Sequence, residues 1–244
     1  MSGARRSAGW VPEQHGAWAM VTVPVLTGVA LAGPHWVHLP LVLVWWTGFF
    51  LFNAGGLWLR SRRKPRYLPA VRAYGLACVA LGVAVLVVTP HLVRWLPVYA
   101  VLIAVTAWAS AHRRDRSLLN DVVTIAAAGL MTAVAYDAPL GWDTPVTATA
   151  GLPGASPDGQ LRGWAWTWLV TGLLTAYFWG TAPYVKTLIR ERGQRRYLAG
   201  SVAYHVGLAV VVAVLAAGGW VRWVHAAVWA LLAARAGGVP WWQR

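Results

Sequence analysis

Charge is scarce in this 244-residue chain: Asp, Glu, Lys and Arg together make up 11% of it, against roughly 25% in soluble proteins. A soluble globule of this size needs more charged side chains on its surface, so the composition argues against a soluble enzyme. Intrinsic disorder requires low hydrophobicity, which 58% apolar residues exclude. The single cysteine, Cys78, rules out a disulfide framework and a cysteine-ligated metal.

Apolar segments fill most of the chain instead. A membrane-spanning helix takes about 20 mostly apolar residues. The sequence predicts eight spans, at 16–33, 39–59, 70–89, 96–111, 118–136, 163–185, 198–218 and 220–235. The eighth is short, with Arg222 at its start. No linker or low-complexity tract divides the chain, so we predict an all-α polytopic membrane bundle that forms a single transmembrane domain over residues 1–244.

The basic residues are unevenly distributed among the predicted loops. Of the 21 Lys and Arg residues, 18 belong to the two termini and to the segments 60–72, 113–116 and 186–196, and three belong to the alternate loops. Because Lys and Arg accumulate in cytoplasmic loops, both termini are predicted to lie in the cytoplasm. The net charge of +14 is thus mostly a topology signal, and nucleic acid is not an expected partner.

Two basic segments match at a constant offset of 130 residues, RSRRKPRYLPAVRAY at 60–74 and RERGQRRYLAGSVAY at 190–204. Seven of the fifteen aligned positions are identical, including an Arg-Tyr-Leu triplet and a later Ala-Tyr pair. Each segment joins the second and third helices of a four-helix half. The match therefore predicts parallel halves at about 1–111 and 118–235, although an Arg-rich composition alone would produce some of these identities.

Polar residues in or beside the spans are candidates for a binding site, because they are costly in a membrane and usually functional. Ordinary structural roles are also open to them, such as an interfacial anchor or a hydrogen bond to a neighbouring helix. No two histidines share a depth on facing helices as haem would need, and no Gly-rich phosphate loop or HExxH motif is present. The candidates are His15, Asn53, Lys64, Arg66, Tyr184, Lys186, Arg190, Glu191, Tyr204 and His205.

Four strings spread over the chain, EQHGAWAM, RRKPRYLP, RSLLND and YVKTLIRERG, together resemble the YwiC-like family of bacterial membrane proteins. The layout also resembles, more distantly, the UbiA superfamily of intramembrane prenyltransferases, which are helical bundles with a cytoplasm-facing cavity. Two acidic motifs of that superfamily lie at the inner ends of its second and sixth helices. The resemblance matches Asn53 to the asparagine of the first motif, and Tyr184 and Lys186 to the tyrosine and lysine of the second.

The aspartates of the two UbiA motifs have no counterparts in this sequence. In that superfamily they hold Mg²⁺, which requires oxygen ligands and in turn binds the diphosphate. Only Glu191 remains near either loop, so we expect neither a metal nor another cofactor. Arginines can instead neutralise an anion directly through bidentate hydrogen bonds.

Three functions remain open on these grounds. The first is binding, or transfer, of an anionic isoprenoid or lipid in a cytoplasm-facing basic pocket, with Asn53, Tyr184 and His205 along its apolar part. The second is a non-enzymatic factor for assembly or regulation of a membrane complex, whose basic loops bind acidic lipid head groups or an acidic partner. The third is a small-molecule transporter, against which stands the lack of a deep charged pair. In the first of these functions, the head group of the isoprenoid or lipid would be held by Lys64, Arg66, Lys186 and Arg190.

Overall fold

The computed structural model describes residues 9–13, 15–114, 117–189 and 192–242. Within these residues the chain is all-α as predicted, with no strand and one isolated antiparallel bridge between Ala155 and Arg162. Two short 3-10 helices, Pro65–Tyr67 and Pro90–Trp95, precede the third and fourth α-helices. The eight α-helices are α1 (His15–Ala32), α2 (His38–Arg60), α3 (Leu68–Val88), α4 (Leu96–Ala111), α5 (Leu118–Asp137), α6 (Gly163–Ile189), α7 (Arg195–Ala217) and α8 (Trp223–Trp242).

Five helical segments are long enough and apolar enough to cross a membrane, which makes the protein a helical membrane bundle. They are His38–Arg60, Pro65–Val88, Pro90–Ala111, Leu118–Asp137 and Arg195–Ala217. The apolar stretches of α1 and α8 are shorter, Gly16–Ala32 and Trp223–Val239. α6 has 27 residues but is rich in Trp, Thr and Gly, and it is not among the five. The count of eight spans therefore stays a prediction.

The chain forms two compact units, Met1–Val146 and Thr147–Arg244. The first contains α1 to α5 and the second contains α6 to α8. Within the first unit α5 packs mainly against α1 and also against α4, while α2 packs against α3 and α4. The single domain and the parallel halves at 1–111 and 118–235 stay predictions.

α1 and α5 make a close helix contact at Gly28. A Cβ atom on Gly28 would lie 2.2 Å from the backbone oxygen of Thr132 and 2.7 Å from the Cβ of Ala135. One turn away, the buried Thr132 hydroxyl donates to the carbonyl oxygen of Pro24 at 3.0 Å. Small residues allow membrane helices to approach in this way, because van der Waals contact and interhelical hydrogen bonds drive their association.

A buried carboxylate lies where α5 ends. Asp137 is fully buried and forms an ion pair with Arg94, which donates from Nε to Oδ2 at 2.8 Å and from Nη2 to Oδ1. The indole N–H of Trp95 donates to the same carboxylate at 2.7 Å. Arg94 also donates from Nη1 to the carbonyl oxygen of Thr144 at 3.1 Å, so the pair joins three segments of the chain.

Two buried histidines form hydrogen bonds with carbonyl groups at the C-terminal end of α5. The last four carbonyl groups of a helix have no partner within it. The His38 Nε2 lies 2.9 Å from the carbonyl oxygen of Ala135, and the His91 Nε2 lies 3.0 Å from that of Asp137. A carbonyl only accepts, so both rings carry their proton on Nε2 and both have a structural role.

The second unit has its core between α7 and α8, around Val212, Ala216 and Trp229. The segment before α6 is held by hydrogen bonds of its own. The Ser156 hydroxyl donates to the Asp158 carboxylate at 2.5 Å, and this bond lowers the pKa of Asp158. Gly219, at φ +81°, lies against Asp158, whose Cβ would be 3.2 Å from a Cβ at that glycine.

Candidate functional site

Three of the candidate residues come together in the second unit, where α6 meets α7. His205 is buried, with its ring centroid 5.7 Å from that of Tyr204 and 6.3 Å from that of Tyr184. The Tyr204 hydroxyl donates across to α6, to the carbonyl oxygen of Ala176 at 2.8 Å. The tyrosine of α6 and the two aromatic side chains of α7 therefore form one cluster.

Gly180 makes this cluster possible. A Cβ atom at this position of α6 would lie 2.9 Å from Cε1 of Tyr204 and 3.0 Å from Nε2 of His205. The first distance is shorter than real Cβ contacts and the second is tighter than most of them, so a larger residue would force the two rings away from the α6 backbone. The His205 Nε2 atom is thus held against α6.

A small open cavity lies beside these rings. The volume that the centres of water molecules can occupy in it is about 30 Å³, which is room for roughly two waters. That space can admit the tip of a head group, while the remainder of a larger ligand has to stay outside. The cavity is lined by Tyr177, Thr181, Tyr184, His205, Trp229, Leu232 and Arg235.

Arg235 supplies the positive charge of this cavity, and it is not among the candidates identified from the sequence. Its position assigns it to the cytoplasmic tail, but α8 continues to Trp242, so Arg235 lies within the helix. The guanidinium carbon lies 4.7 Å from the ring centroid of Tyr184, and its Nε donates to the Tyr184 hydroxyl at 3.1 Å. Among the residues that the structure describes, no carboxylate pairs with it. The sequence feature that could have identified Arg235 is the interruption of the apolar run ALLAARAGG by this one arginine.

The hydrogen bonds around the cavity fix which atoms can donate and which can accept. The His205 Nδ1 lies 2.7 Å from the carbonyl oxygen of Ser201, so this nitrogen carries the proton and leaves Nε2 an acceptor in the neutral ring. The Tyr184 hydroxyl accepts from Arg235, so its own proton is free to be donated. Thr181 donates to the carbonyl oxygen of Phe178 at 2.6 Å and keeps its lone pairs. The site thus combines a cation, a hydroxyl donor and two neutral acceptors.

The candidates of the first unit lie in other surroundings. The Asn53 side-chain amide donates to the carbonyl oxygen of Gly9 at 3.3 Å, and the Tyr74 hydroxyl donates to that of Trp10 at 2.9 Å. The segment before α1 is therefore bound to α2 and α3. Arg66 lies over the ring of Tyr67, 4.7 Å from its centroid, and Lys64 is exposed.

The remaining candidates are partly described. Lys186 lies in the last turn of α6 and is half-buried. His15 is the first residue of α1, without a described side chain, and Arg190 and Glu191 lie outside the described residues. The single basic pocket predicted from the sequence stays a prediction.

A family model described as YwiC-like protein matches residues 11–136, more than half of the chain. The chain belongs to the YwiC-like family. It is 30% identical over 210 residues to Uncharacterized protein YwiC of Bacillus subtilis (strain 168), covering 85% of this chain and 79% of the relative. It is 25% identical over 204 residues to a protein of Haemophilus influenzae titled Uncharacterized protein, covering 84% and 77%.

No solved structure matches this YwiC-like chain, so the UbiA-like layout stays a prediction. The matched segment 11–136 runs from the residues before α1 almost to the end of α5, within the first unit. The cavity around Tyr184 and Arg235 lies beyond it. Both relatives align over more than four fifths of the chain, so the likeness to them reaches past the matched segment.

Proposed function

We propose that this YwiC-like protein is a multi-pass protein of the bacterial inner membrane that binds the anionic head group of an isoprenoid or lipid in the cavity between α6, α7 and α8. The observation that carries the proposal is the Arg235 guanidinium, which lies over Tyr184 with no carboxylate partner in the described chain. Its side chain is exposed on α8, so the guanidinium N–H groups that do not bond to Tyr184 are open to a ligand. An anionic ligand supplies the missing partner.

The chemistry of the cavity favours a phosphate over a carboxylate. Phosphate oxygens can accept from the free N–H groups of Arg235 and from the Tyr184 hydroxyl, while a P–OH group or a neighbouring hydroxyl donates to Nε2 of His205. A carboxylate uses the first two contacts but has nothing to donate to the histidine. Because the cavity is small, the apolar tail of the ligand stays in the bilayer.

Replacing Arg235 by glutamine should weaken binding of an isoprenyl diphosphate or of phosphatidylglycerol by about tenfold or more. A hydrogen bond to a charged group contributes about 1.5–3 kcal/mol, and 1.4 kcal/mol is a factor of ten in affinity. Tyr184→Phe removes one donor and should cost less. Binding is measured by titrating the detergent-purified protein at several salt concentrations, with and without a chelator, and it should weaken with salt.

The matched control is Arg222→Gln, which removes an exposed arginine of the same unit just before α8. Its affinity should stay within about twofold of wild type, since surface charges away from a ligand contribute little. Equal losses in both variants would mean that only bulk charge attracts the ligand. If chelation abolishes binding, a metal held by carboxylates replaces the arginine account. If neither ligand binds at any salt concentration, the non-enzymatic membrane factor becomes the better explanation.

The orientation of the chain in the membrane has its own test. In a Cys78→Ala background, a membrane-impermeant thiol reagent added from outside should label Ala150→Cys but neither Lys64→Cys nor Gln194→Cys. All three positions are exposed, so access to the reagent depends only on the side of the membrane. Labelling of position 64 or 194 in intact cells would reverse or break the predicted topology.

A further inference from the structure

Three residues other than glycine have a positive φ within the described chain, and all three are arginines. They are Arg62 at 60°, Arg63 at 59° and Arg113 at 57°. This left-handed conformation is unfavourable for residues that carry a Cβ and is open to glycine without that penalty. The strain is therefore confined to two short basic connections, the one after α2 and the one after α4.

Both connections end a helix in the same manner. The backbone N–H of Arg63 donates to the carbonyl oxygen of Trp58 at 2.8 Å, and that of Arg114 donates to Ala109 at 2.7 Å. In each bond the donor comes five residues after the acceptor, which is the pattern of a common C-terminal helix cap. The left-handed residue of that cap is usually glycine. Glycine would close both helices at lower cost. An arginine at such a position therefore carries a backbone cost that glycine would not.

The helices that lead into the two connections, α2 and α4, are neighbours in the first unit. A Cβ on Gly56, near the end of α2, would lie 3.8 Å from Oγ of Ser110, near the end of α4. We call residues 61–67 and 112–114 the arginine connectors. Their exposed cations are Arg62, Arg63, Lys64, Arg66, Arg113 and Arg114. Like charges gathered on neighbouring segments repel one another, and bound anions reduce that repulsion.

Aromatic rings orient three of the guanidinium groups. Arg63 lies 5.6 Å from the ring centroid of Trp58, and Arg114 lies 5.5 Å from that of Trp108. Arg66 lies over Tyr67 in the same way, at 4.7 Å. Trp and Tyr at the ends of membrane helices lie at the depth of the lipid head groups. A guanidinium stacked on such a ring still presents its N–H edge, which matches a phosphate bidentately.

From these observations we infer that the arginine connectors form a binding site for the phosphate groups of anionic phospholipids in the adjoining leaflet. The occupant is a lipid because the stacked rings hold the guanidinium groups where apolar helices meet the head groups. The site belongs to the first unit and does not depend on the Arg235 cavity. The left-handed arginines place their side chains on this surface at a cost in backbone strain that bound lipid offsets.

The substitutions Arg63→Gly and Arg113→Gly test the inference through two effects of opposite sign. In neutral detergent each variant should melt about 2 °C higher than wild type, because the strain at that residue is released. On addition of phosphatidylglycerol, the rise in melting temperature seen for wild type should shrink clearly in both variants. Phosphatidylcholine should raise all the melting temperatures equally. A variant that merely folds badly would melt lower in detergent.

The matched control is Arg72→Ala, an exposed arginine on α3 with ordinary helical φ and with no aromatic ring beneath it among the described residues. It should keep the full effect of phosphatidylglycerol. The inference is wrong if Arg72→Ala loses as much as Arg63→Gly, or if both glycine variants keep the wild-type response. It is also wrong about the occupant if inorganic phosphate, at the same phosphate concentration and without lipid, raises the wild-type melting temperature as much as phosphatidylglycerol.

Discussion

Substituting Gly28 by alanine is expected to destabilise the first unit by about 1–3 kcal/mol, the usual cost of forcing an extra methyl group into a well-packed contact. The new Cβ would lie 2.2 Å from the backbone oxygen of Thr132, and backbone cannot rotate away as a side chain can. α1 and α5 would have to separate. The separation would also strain the hydrogen bond from Thr132 to Pro24. Thermal unfolding of the detergent-purified variant measures the loss.

Gly48→Ala is the matched control for this change. Gly48 lies inside α2, and a Cβ at that position meets nothing within 4 Å. Alanine should there be neutral or stabilise the helix by about 0.5–1 kcal/mol, because glycine is the poorer helix former. The two substitutions add the same atom and should change the melting temperature in opposite directions. Equal melting temperatures would contradict the contact between α1 and α5.

Asp137→Asn should have the largest effect on stability of any single substitution considered, about 3–5 kcal/mol. The carboxylate is fully buried, and its partner Arg94 has a side chain only 20% exposed. Asparagine has nearly the same shape, so the loss comes from charge rather than packing. The substitution leaves the Arg94 guanidinium without its counter-ion and takes one acceptor from Trp95.

Two further variants show whether the loss at Asp137 comes from the ion pair. Asp143→Asn changes an exposed aspartate of the connection that follows α5 and should alter stability by less than about 0.5 kcal/mol. In the double variant Arg94→Gln, Asp137→Asn the losses should not add, because each single change already removes the pair. Additive losses would mean that the two side chains act independently.

Hydropathy alone locates most of the helices. The predicted span 96–111 coincides with α4, and 118–136 stops one residue before the end of α5. The physical reason is that an apolar run stays helical in the membrane, and the charged residues on either side of it mark where the helix leaves the membrane. The rule fails at α8, because the predicted span ends at 235 and the helix continues to Trp242. An arginine can remain inside a helix when its aliphatic stem lies along apolar surface and its head group finds a partner, here Tyr184.

Contacts between distant segments are beyond the reach of the sequence pattern. Arg94 and Asp137 are 43 residues apart, and the predicted spans leave them in two different connections with nothing to pair them. The grouping of Tyr184 with His205 is an example of partial success, since both were candidates but Arg235 was not. Asn53 is a different case. Its polarity makes it a candidate for a binding site, and in the structure its side-chain amide donates to the carbonyl oxygen of Gly9. Hydropathy ranks residues by cost in the membrane and carries no information about their partners.

The pairing of α1 with α5 imposes an order on the synthesis of the protein. Gly28 and Thr132 are separated by about a hundred residues, so at roughly 5–20 residues per second α1 leaves the ribosome some 5–20 s before its main partner. During that interval α2 and α3 can already pair as neighbours, whereas the Gly28 face of α1 has only lipid or the insertion machinery to contact. The first helix to emerge is thus among the last of its unit to find its final position.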